Sequence, residues 1–261
     1  MSRLGRIGSE CRAGAKAFLR RRTAVFFTFF FPVIIVLIFG VLVGTQPTGG
    51  GLFAEPPGYY LPGYLAVVVL FTPLSRVGSE FARHREGSRF EKLATTPLRR
   101  WEWLLAHTLV NVLVIGAASL LIFGLVVALV DAEIAVGGGL LLLIPFVVLG
   151  VALFCGLGAV LGRLADSQDG VVAASNSVAL PLLFLSETFV TPELLPAWFR
   201  PVTNLSPLTY FARGVRSLTY TGAQTPAGVD PVALALGDLA TLAALSAVFF
   251  LAGAYAVPRG D

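Results

Sequence analysis

The sequence predicts an all-α polytopic membrane protein with six transmembrane helices. Of its 261 residues, 56% are hydrophobic and 13% are charged, whereas a soluble domain carries about 25% charged residues. The apolar residues are gathered into continuous blocks close to the length of about 20 residues that crosses a hydrocarbon core as a helix. Because these blocks are rich in Leu, Val and Ala and do not alternate with polar residues, they favour a helical bundle over a barrel.

The six apolar blocks define the predicted spans within a single transmembrane domain, residues 1–261. The spans are Ala24–Gly44, Tyr60–Val77, Leu104–Val130, Gly139–Leu161, Val171–Val190 and Val232–Val257. Uncharged polar residues interrupt the third and fifth spans, and such groups can bond across helices. We place no charged residue at the middle of the membrane, so the sequence does not indicate a proton relay.

The distribution of basic residues predicts the orientation of these spans. Seven lie within residues 1–22, seven more lie within residues 76–103, and Arg163 and Arg259 flank the fourth and sixth spans. Sixteen of the nineteen Lys and Arg residues then fall on one side, which the positive-inside rule makes cytoplasmic. We therefore predict a multi-pass plasma-membrane protein with both termini in the cytoplasm and no clustered basic patch for nucleic acid.

Residues 1–22 predict an interfacial helix ahead of the first span. Its apolar residues recur at helical spacing and are Leu4, Ile7, Cys11, Ala15 and Phe18. Such a helix would lie at the headgroup boundary with its arginines near lipid phosphates. A solvated tail with a chance pattern is the alternative.

The stretch SRFEKLATTPLRRWEW, Ser88–Trp103, predicts a short cytoplasmic helix between spans 2 and 3, within a loop over residues 78–103. Ser88 and Glu91 have the spacing of a capping box, so we expect the short helix to begin at Ser88. Thr96 as N-cap and Pro97 at the first helical position should begin a second helix that runs into span 3.

The alternative for this segment is a plain linker that carries topology charges. That alternative explains the arginines, but it does not explain the cap, the Thr-Pro corner or the apolar Phe90 and Leu93 inside the short helix. We therefore interpret the segment as an element that receives mechanical force at the base of span 3.

Residues 191–231 predict a re-entrant segment on the external side, before span 6. Prolines are too frequent there for a spanning helix, and large apolar side chains are too frequent for an ordinary loop. We expect short helices that dip into or lie along the outer leaflet. The residues that mark the segment are Glu187 at its entry and Pro192, Pro196, Trp198, Pro207, Tyr210 and Arg213 within it.

Enzyme motifs are missing from the sequence, which has no G-x-S-x-G, H-E-x-x-H or phosphate-binding G-x-x-x-x-G-K-[ST] pattern. DGVVAAS, Asp169–Ser175, faintly resembles the opening of the CDP-alcohol phosphatidyltransferase motif, but the further carboxylates of a two-metal site do not follow. We interpret Asp169 as a helix cap. We therefore predict that this chain has no catalytic residue and binds no metal or cofactor. The alternatives for its function are a membrane-embedded lipid-modifying enzyme and a non-transporting membrane scaffold.

Three stretches in order resemble the permease subunits of type-2 ATP-binding cassette (ABC) transporters. REGSRFEKLATTPLRRWEWLLA, Arg85–Ala106, is similar to the coupling loop of that family. LPLLFLSETFVTPELLPAWFR, Leu180–Arg200, and LSPLTYFARGVRSL, Leu205–Leu218, are similar to its two external segments. The chain departs from the family pattern at Glu187, where Gly is usual, and at Ser206, where Asn is frequent.

The resemblance implies a permease subunit of an exporter that has no ATPase activity of its own. It implies a homodimer whose two separate ATPase subunits bind ATP and Mg, and it does not name the cargo. Spans that bear Phe, Leu, Asn and Ser favour an amphipathic or lipid-like cargo, because ion pores are lined by charge. The residues implied in coupling to the ATPase are Ser88, Phe90, Glu91, Leu93, Thr96 and Pro97, with Phe90 and Leu93 seated in a groove of that subunit.

Overall fold

The computed structural model describes residues 3–43, 55–96, 98–130, 132, 134, 135, 137–220 and 229–258, and within these ranges it is built from helices. Nine α-helices follow one another in the described ranges. They are α1 (Arg3–Arg20), α2 (Arg22–Ile35), α3 (Leu61–Glu86), α4 (Arg89–Ala94), α5 (Arg100–Leu129), α6 (Leu143–Leu164), α7 (Gln168–Phe184), α8 (Pro207–Thr219) and α9 (Pro231–Ala256). The all-helical class is therefore confirmed.

Five stretches of the described chain are long and apolar enough to cross a membrane. They are Arg22–Val43, Pro57–Glu86, Arg100–Leu129, Gly138–Leu164 and Pro231–Ala256. They correspond to the first four and the sixth of the predicted spans. The second is the most enclosed, with 78% of its most apolar window buried against 11% for the first, so α3 lies at the centre of the bundle.

The fifth predicted span, Val171–Val190, does not form one long helix. Its helix, α7, has 17 residues, and turns occupy the rest of the block. The hydroxyls of Ser186 and Thr188 both donate to the carbonyl of Leu183, at 2.7 and 2.9 Å. These bonds satisfy a carbonyl that a longer helix would have used, and they end α7.

The second predicted span is longer than its apolar block, because α3 continues nine residues beyond Val77 to Glu86. The charged residues that lower the hydropathy at and beyond the end of the block have partners. The guanidinium of Arg76 lies 4.3 Å from the ring centroid of Phe18 in α1, and Arg83 pairs with Glu80 at 2.8 Å. Pairing within the fold therefore extends the helix past the point where hydropathy falls.

Glycines in α6 allow its backbone to contact the backbones of both α3 and α9. A Cβ placed on Gly158 would lie 2.5 Å from the carbonyl oxygen of Leu74 in α3, and one on Gly156 would lie 2.3 Å from that of Phe249 in α9. Both distances are too short for any side chain, so only glycine permits these approaches. The three helices form the core that positions the sites described below.

The predicted N-terminal helix forms as α1, and it packs beside the first turns of α5. The thiol of Cys11 donates to the carbonyl of Ala106 at 3.4 Å. Of the predicted apolar stripe, Ile7 and Phe18 are buried and Leu4 is exposed. The location of α1 at a membrane surface stays a prediction.

Candidate functional site

α4 is anchored to the body of the protein by Phe90. The Phe90 side chain is 8% exposed, and its ring centroid lies 5.0 Å from that of Phe81, 5.4 Å from that of His84 and 5.5 Å from that of Trp103. These contacts cover the ring within its own chain. Phe90 is therefore an internal anchor, which corrects the expectation that it seats in a partner.

The opposite side of α4 faces outward. Glu91 and Lys92 are exposed, as are Thr95 and Thr96 beyond the helix. The side chain of Leu93 and the whole of Pro97 lie outside the described residues, so their predicted roles stay predictions. Among the described side chains of α4, those that a partner can reach are thus charged.

The capping box predicted at Ser88 is not formed. The helix begins at Arg89, and Ser88 has a φ of 49°, whereas an N-cap residue needs an extended backbone. Ser88 instead makes the sharp turn between α3 and α4, and Phe90 holds the helix in place.

The helix that leads into span 3 begins three residues later than predicted, at Arg100 in place of Pro97. The carboxylate of Glu102 accepts a hydrogen bond of 2.9 Å from the backbone N–H of Arg99. Glu102 is completely buried and also accepts from Arg6 of α1, with an Nη2–Oε1 distance of 2.8 Å. Glu102 therefore fixes both the start of α5 and the position of α1, a role that sequence analysis missed.

The chain on either side of α4 contacts the ends of other helices. Arg85 donates to the carbonyl of Arg163, at 3.2 Å, and to those of Gly162 and Ala165, at the C-terminal end of α6. Glu86 accepts from the backbone N–H of Gln168 at 3.2 Å, at the start of α7. These contacts satisfy groups that a helix end leaves without partners.

The end of α9 reaches the same region. Arg100 donates to the carbonyl of Tyr255 at 3.3 Å, and Arg163 of α6 donates to that of Ala256 at 2.8 Å. The flanks of α4 are thus joined by hydrogen bonds to α6, α7 and α9. A displacement of α4 would act on the ends of all three.

A second group of charged residues lies at the entry to the predicted external segment. Glu187 is 5% exposed and forms an ion pair with Arg213 of α8, with an Nε–Oε2 distance of 2.7 Å. Arg213 also donates to the side chain of Asn204 at 2.8 Å. The hydrogen bonds that Arg213 donates to Glu187 raise the pKa of Arg213. The pair links the turns after α7 to α8.

Arg216, one helical turn after Arg213, is the most buried cation of this group. Its guanidinium lies 3.9 Å from the ring centroid of Tyr59, and its Nε donates to the Tyr59 carbonyl at 3.3 Å. A further N–H donates to the carbonyl of Glu187. Burial lowers the pKa of Arg216. Sequence analysis missed this residue, although its three-residue spacing from Arg213 places both on one helix face.

The predicted external segment is divided into short helices, as expected from its prolines. Pro192 opens a 3₁₀ turn that ends at Leu194, and Pro207 is the first residue of α8. The carbonyl of Pro196 accepts from Phe199 at 2.8 Å. The hydroxyl of Tyr210 donates to the carbonyl of Asn204, while Trp198 is 76% exposed.

Asp169 does not cap the helix that it helps to begin. The N-cap of α7 is Ser167, whose hydroxyl accepts from the backbone N–H of Gly170 at 3.1 Å. Asp169 lies in the first turn, where a carboxylate is favoured by the helix dipole. Among the residues that the structure describes, no three His, Cys, Asp or Glu side chains are grouped to hold a metal ion.

The sequence model described as ABC-2 type transporter matches residues 10–220, which include α4 and the Glu187–Arg213 pair. The chain belongs to the ABC-2 type transporter family. It is similar to the daunorubicin resistance ABC transporter permease protein DrrB1 of Streptomyces coeruleorubidus, with 30% identity over 198 residues that cover 72% of this chain and 66% of the relative. It is also similar to the probable multidrug ABC transporter permease YbhS of Escherichia coli K12, with 28% identity over 196 residues.

This ABC-2 family member spans 66% of the length of the Streptomyces relative and 49% of that of the Escherichia coli relative. The family match ends at residue 220, at the end of α8. It therefore includes both sites described above, while α9 lies outside it.

Proposed function

We propose that this chain is the permease subunit of an ABC exporter and that α4 receives motion from a separate ATPase subunit. The observation that carries the proposal is the position of α4 within a member of the ABC-2 type family. Its outer side is exposed, its inner side is anchored by Phe90, and its flanks bond to the ends of α6, α7 and α9. A force on the exposed side would reach the bundle through these bonds.

The proposed topology has six spans in the plasma membrane. The fifth consists of α7 with the turns that follow it, and the other five are the long apolar helices. Both termini, α1 and α4 face the cytoplasm, and residues 191–231 form the external re-entrant segment. The support is the charge distribution, since sixteen of nineteen basic residues then lie inside.

The proposed assembly is a homodimer of this chain with two ATPase subunits that bind ATP and Mg. Lipids surround it, and the cargo crosses between the two copies. The names of the relatives refer to daunorubicin resistance and to multidrug transport. Those names, together with spans that are apolar and largely uncharged, favour an amphipathic organic cargo.

The test combines the chain with a separate ABC ATPase subunit from the same organism. We expect the two to co-purify, and we expect proteoliposomes that contain both to hydrolyse ATP and move daunorubicin, used as the probe. Replacement of Glu91 and Lys92 by Ala should leave membrane insertion unchanged and lower the efflux per ATP hydrolysed by about tenfold, the size of effect that central interface residues produce.

The matched control replaces Glu193 and Lys16 by Ala, because both are exposed and of the same residue types but lie away from α4. That variant should keep the efflux of the unmodified chain. Equal efflux per ATP in the α4 variant and its control would refute α4 as the coupling element. Lipid turnover by the purified chain without any partner would refute the exporter itself.

A further inference from the structure

A cavity of about 580 Å³ opens between α8 and α9. Its size lies in the range of about 300–1,000 Å³ that is usual for small-molecule sites. Arg213 and Arg216 line it from α8, and Leu234 and Asp238 line it from α9. Gly237 also lines it, and a Cβ added there would meet no atom within 4 Å. The space beside Asp238 is therefore open.

The two cations of this cavity already have partners. Arg213 donates to the carboxylate of Glu187 and to Asn204, while Arg216 is covered by the ring of Tyr59. Arg213 also attracts the Asp238 carboxylate from a longer distance. Within the part of the chain that the structure describes, however, the Asp238 side chain forms no direct hydrogen bond or ion pair, so its carboxylate is the acidic group of the cavity that a cationic ligand can contact.

The hydroxyls of the cavity are also oriented as acceptors. Thr241 donates its proton to the carbonyl of Gly237 at 3.1 Å, and Ser217 donates its proton to that of Gly214 at 2.9 Å. Each hydroxyl oxygen therefore presents lone pairs, and no proton, to a ligand. With the Asp238 carboxylate, the cavity offers several acceptors to a group that carries several N–H donors.

The position of Asp238 indicates the rest of the ligand. It lies inside the apolar stretch Pro231–Ala256. Only 17% of the most apolar window of this stretch is buried within the chain. A charged side chain within such a stretch is costly unless it faces a partner or a polar cavity. Ala233 and Leu234 add an apolar wall, which suits the hydrocarbon part of an amphiphile.

We propose that this cavity binds the primary ammonium group of an amphiphile, with Asp238 as its counter-ion and Thr241 and Ser217 as further acceptors. An ammonium group carries three N–H donors and one positive charge, which match these acceptors. Binding takes place within one copy of the chain and needs no ATPase. A failure of this inference is therefore distinguishable from a failure of the proposed transport function.

The ammonium group has two sources, a soluble amine or the headgroup of phosphatidylethanolamine from the surrounding bilayer. The probe for the first is dansylcadaverine, a fluorescent primary amine, and its N-acetylated derivative is the uncharged match. The probe for the second is the nanodisc lipid. Nanodiscs of phosphatidylcholine alone are compared with nanodiscs that also contain phosphatidylethanolamine.

Binding is measured by fluorescence polarisation with the purified full chain in phosphatidylcholine nanodiscs. Asp238→Asn should weaken dansylcadaverine binding about tenfold or more, the usual effect of losing a charge-assisted hydrogen bond. Glu193→Gln, the equivalent acid-to-amide change at an exposed carboxylate, should leave binding unchanged. Gly237→Leu fills the cavity while Asp238 stays in place, and it should weaken binding similarly even if Asp238→Asn does not fold.

The acetylated probe should bind the unmodified chain as weakly as dansylcadaverine binds Asp238→Asn. Weaker amine binding in phosphatidylethanolamine nanodiscs would identify the lipid headgroup as an occupant, and unchanged binding would identify soluble amines; both outcomes support the site. Equal binding of the amine and its acetylated form, or unchanged binding by both Asp238→Asn and Gly237→Leu, would overturn it.

Discussion

Replacement of Gly156 by Ala tests whether backbone contact between α6 and α9 holds the bundle together. The added Cβ would lie 2.3 Å from the carbonyl oxygen of Phe249, while ordinary contact begins at 3.4 Å, so the helices must separate by about 1.1 Å along that line. The atoms that this Cβ would meet belong to the backbone of α9, which cannot rotate away as a side chain can. Overpacking of this kind costs about 1–3 kcal/mol.

The assay is thermal unfolding of the purified chain in phosphatidylcholine nanodiscs, followed by the intrinsic fluorescence of its tryptophans. Gly124→Ala is the matched control, because a Cβ at Gly124 in α5 meets no atom within 4 Å. Alanine is favoured over glycine inside a helix by about 1 kcal/mol, so the control should unfold at the same or a higher temperature, and Gly156→Ala at a lower one. Equal or higher unfolding temperatures for Gly156→Ala would refute the packing argument.

Two further predictions concern α1 and α4. Glu10 lies 3.7 Å from Nε2 of His107, and this neighbouring imidazole lowers the pKa of Glu10. The contact should therefore stabilise docked α1 above the ordinary glutamate range and be lost as the pH falls below about 4. Below that pH, the hydrogen-exchange rate of α1 should rise in the unmodified chain but not in Glu10→Gln. The same dependence of the exchange rate on pH in both proteins would contradict this prediction. Phe90→Ala should remove about 3–5 kcal/mol of packing energy and expose the backbone amides of α4 to rapid hydrogen exchange. Phe26→Ala is the control, because that side chain is already 51% exposed, and it should leave the exchange of α4 unchanged. Slow exchange of α4 in both variants would show that Phe90 is not the anchor.

Much of the fold was predictable because hydropathy and charge are local properties of the sequence. They located five of the long helices and the short helix α4. The length of α7 was not predictable from hydropathy. The residues after Phe184 form turns, and hydropathy does not distinguish an apolar residue in a turn from one in a helix. The hydroxyls of Ser186 and Thr188 end the helix, and their bonds depend on how the chain folds back.

The candidate sites were predictable only in part, because their residues are brought together by tertiary structure. Arg6 and Glu102 are separated by 96 positions, and no local pattern pairs them. The capping box at Ser88 failed for a similar reason, since the packing of Phe90 fixes the turn before α4. The cavity beside Asp238 was not predictable, because it depends on how α8 packs against α9.

The joints between α3, α6 and α9 have a consequence for how the molecule can deform. Arg85 of α3 donates hydrogen bonds to the end of α6, and Arg163 of α6 donates one to the end of α9. Along their lengths, the helices contact each other backbone to backbone at glycines. Such a unit is stiff and should turn as one block. Any change of shape must then be taken up by the helices outside the block, and α2 belongs to the least enclosed stretch, with 11% of its most apolar window buried. Paired distance labels on α9 and α2 should therefore register movement, whereas pairs on α9 and α3 should keep a fixed separation.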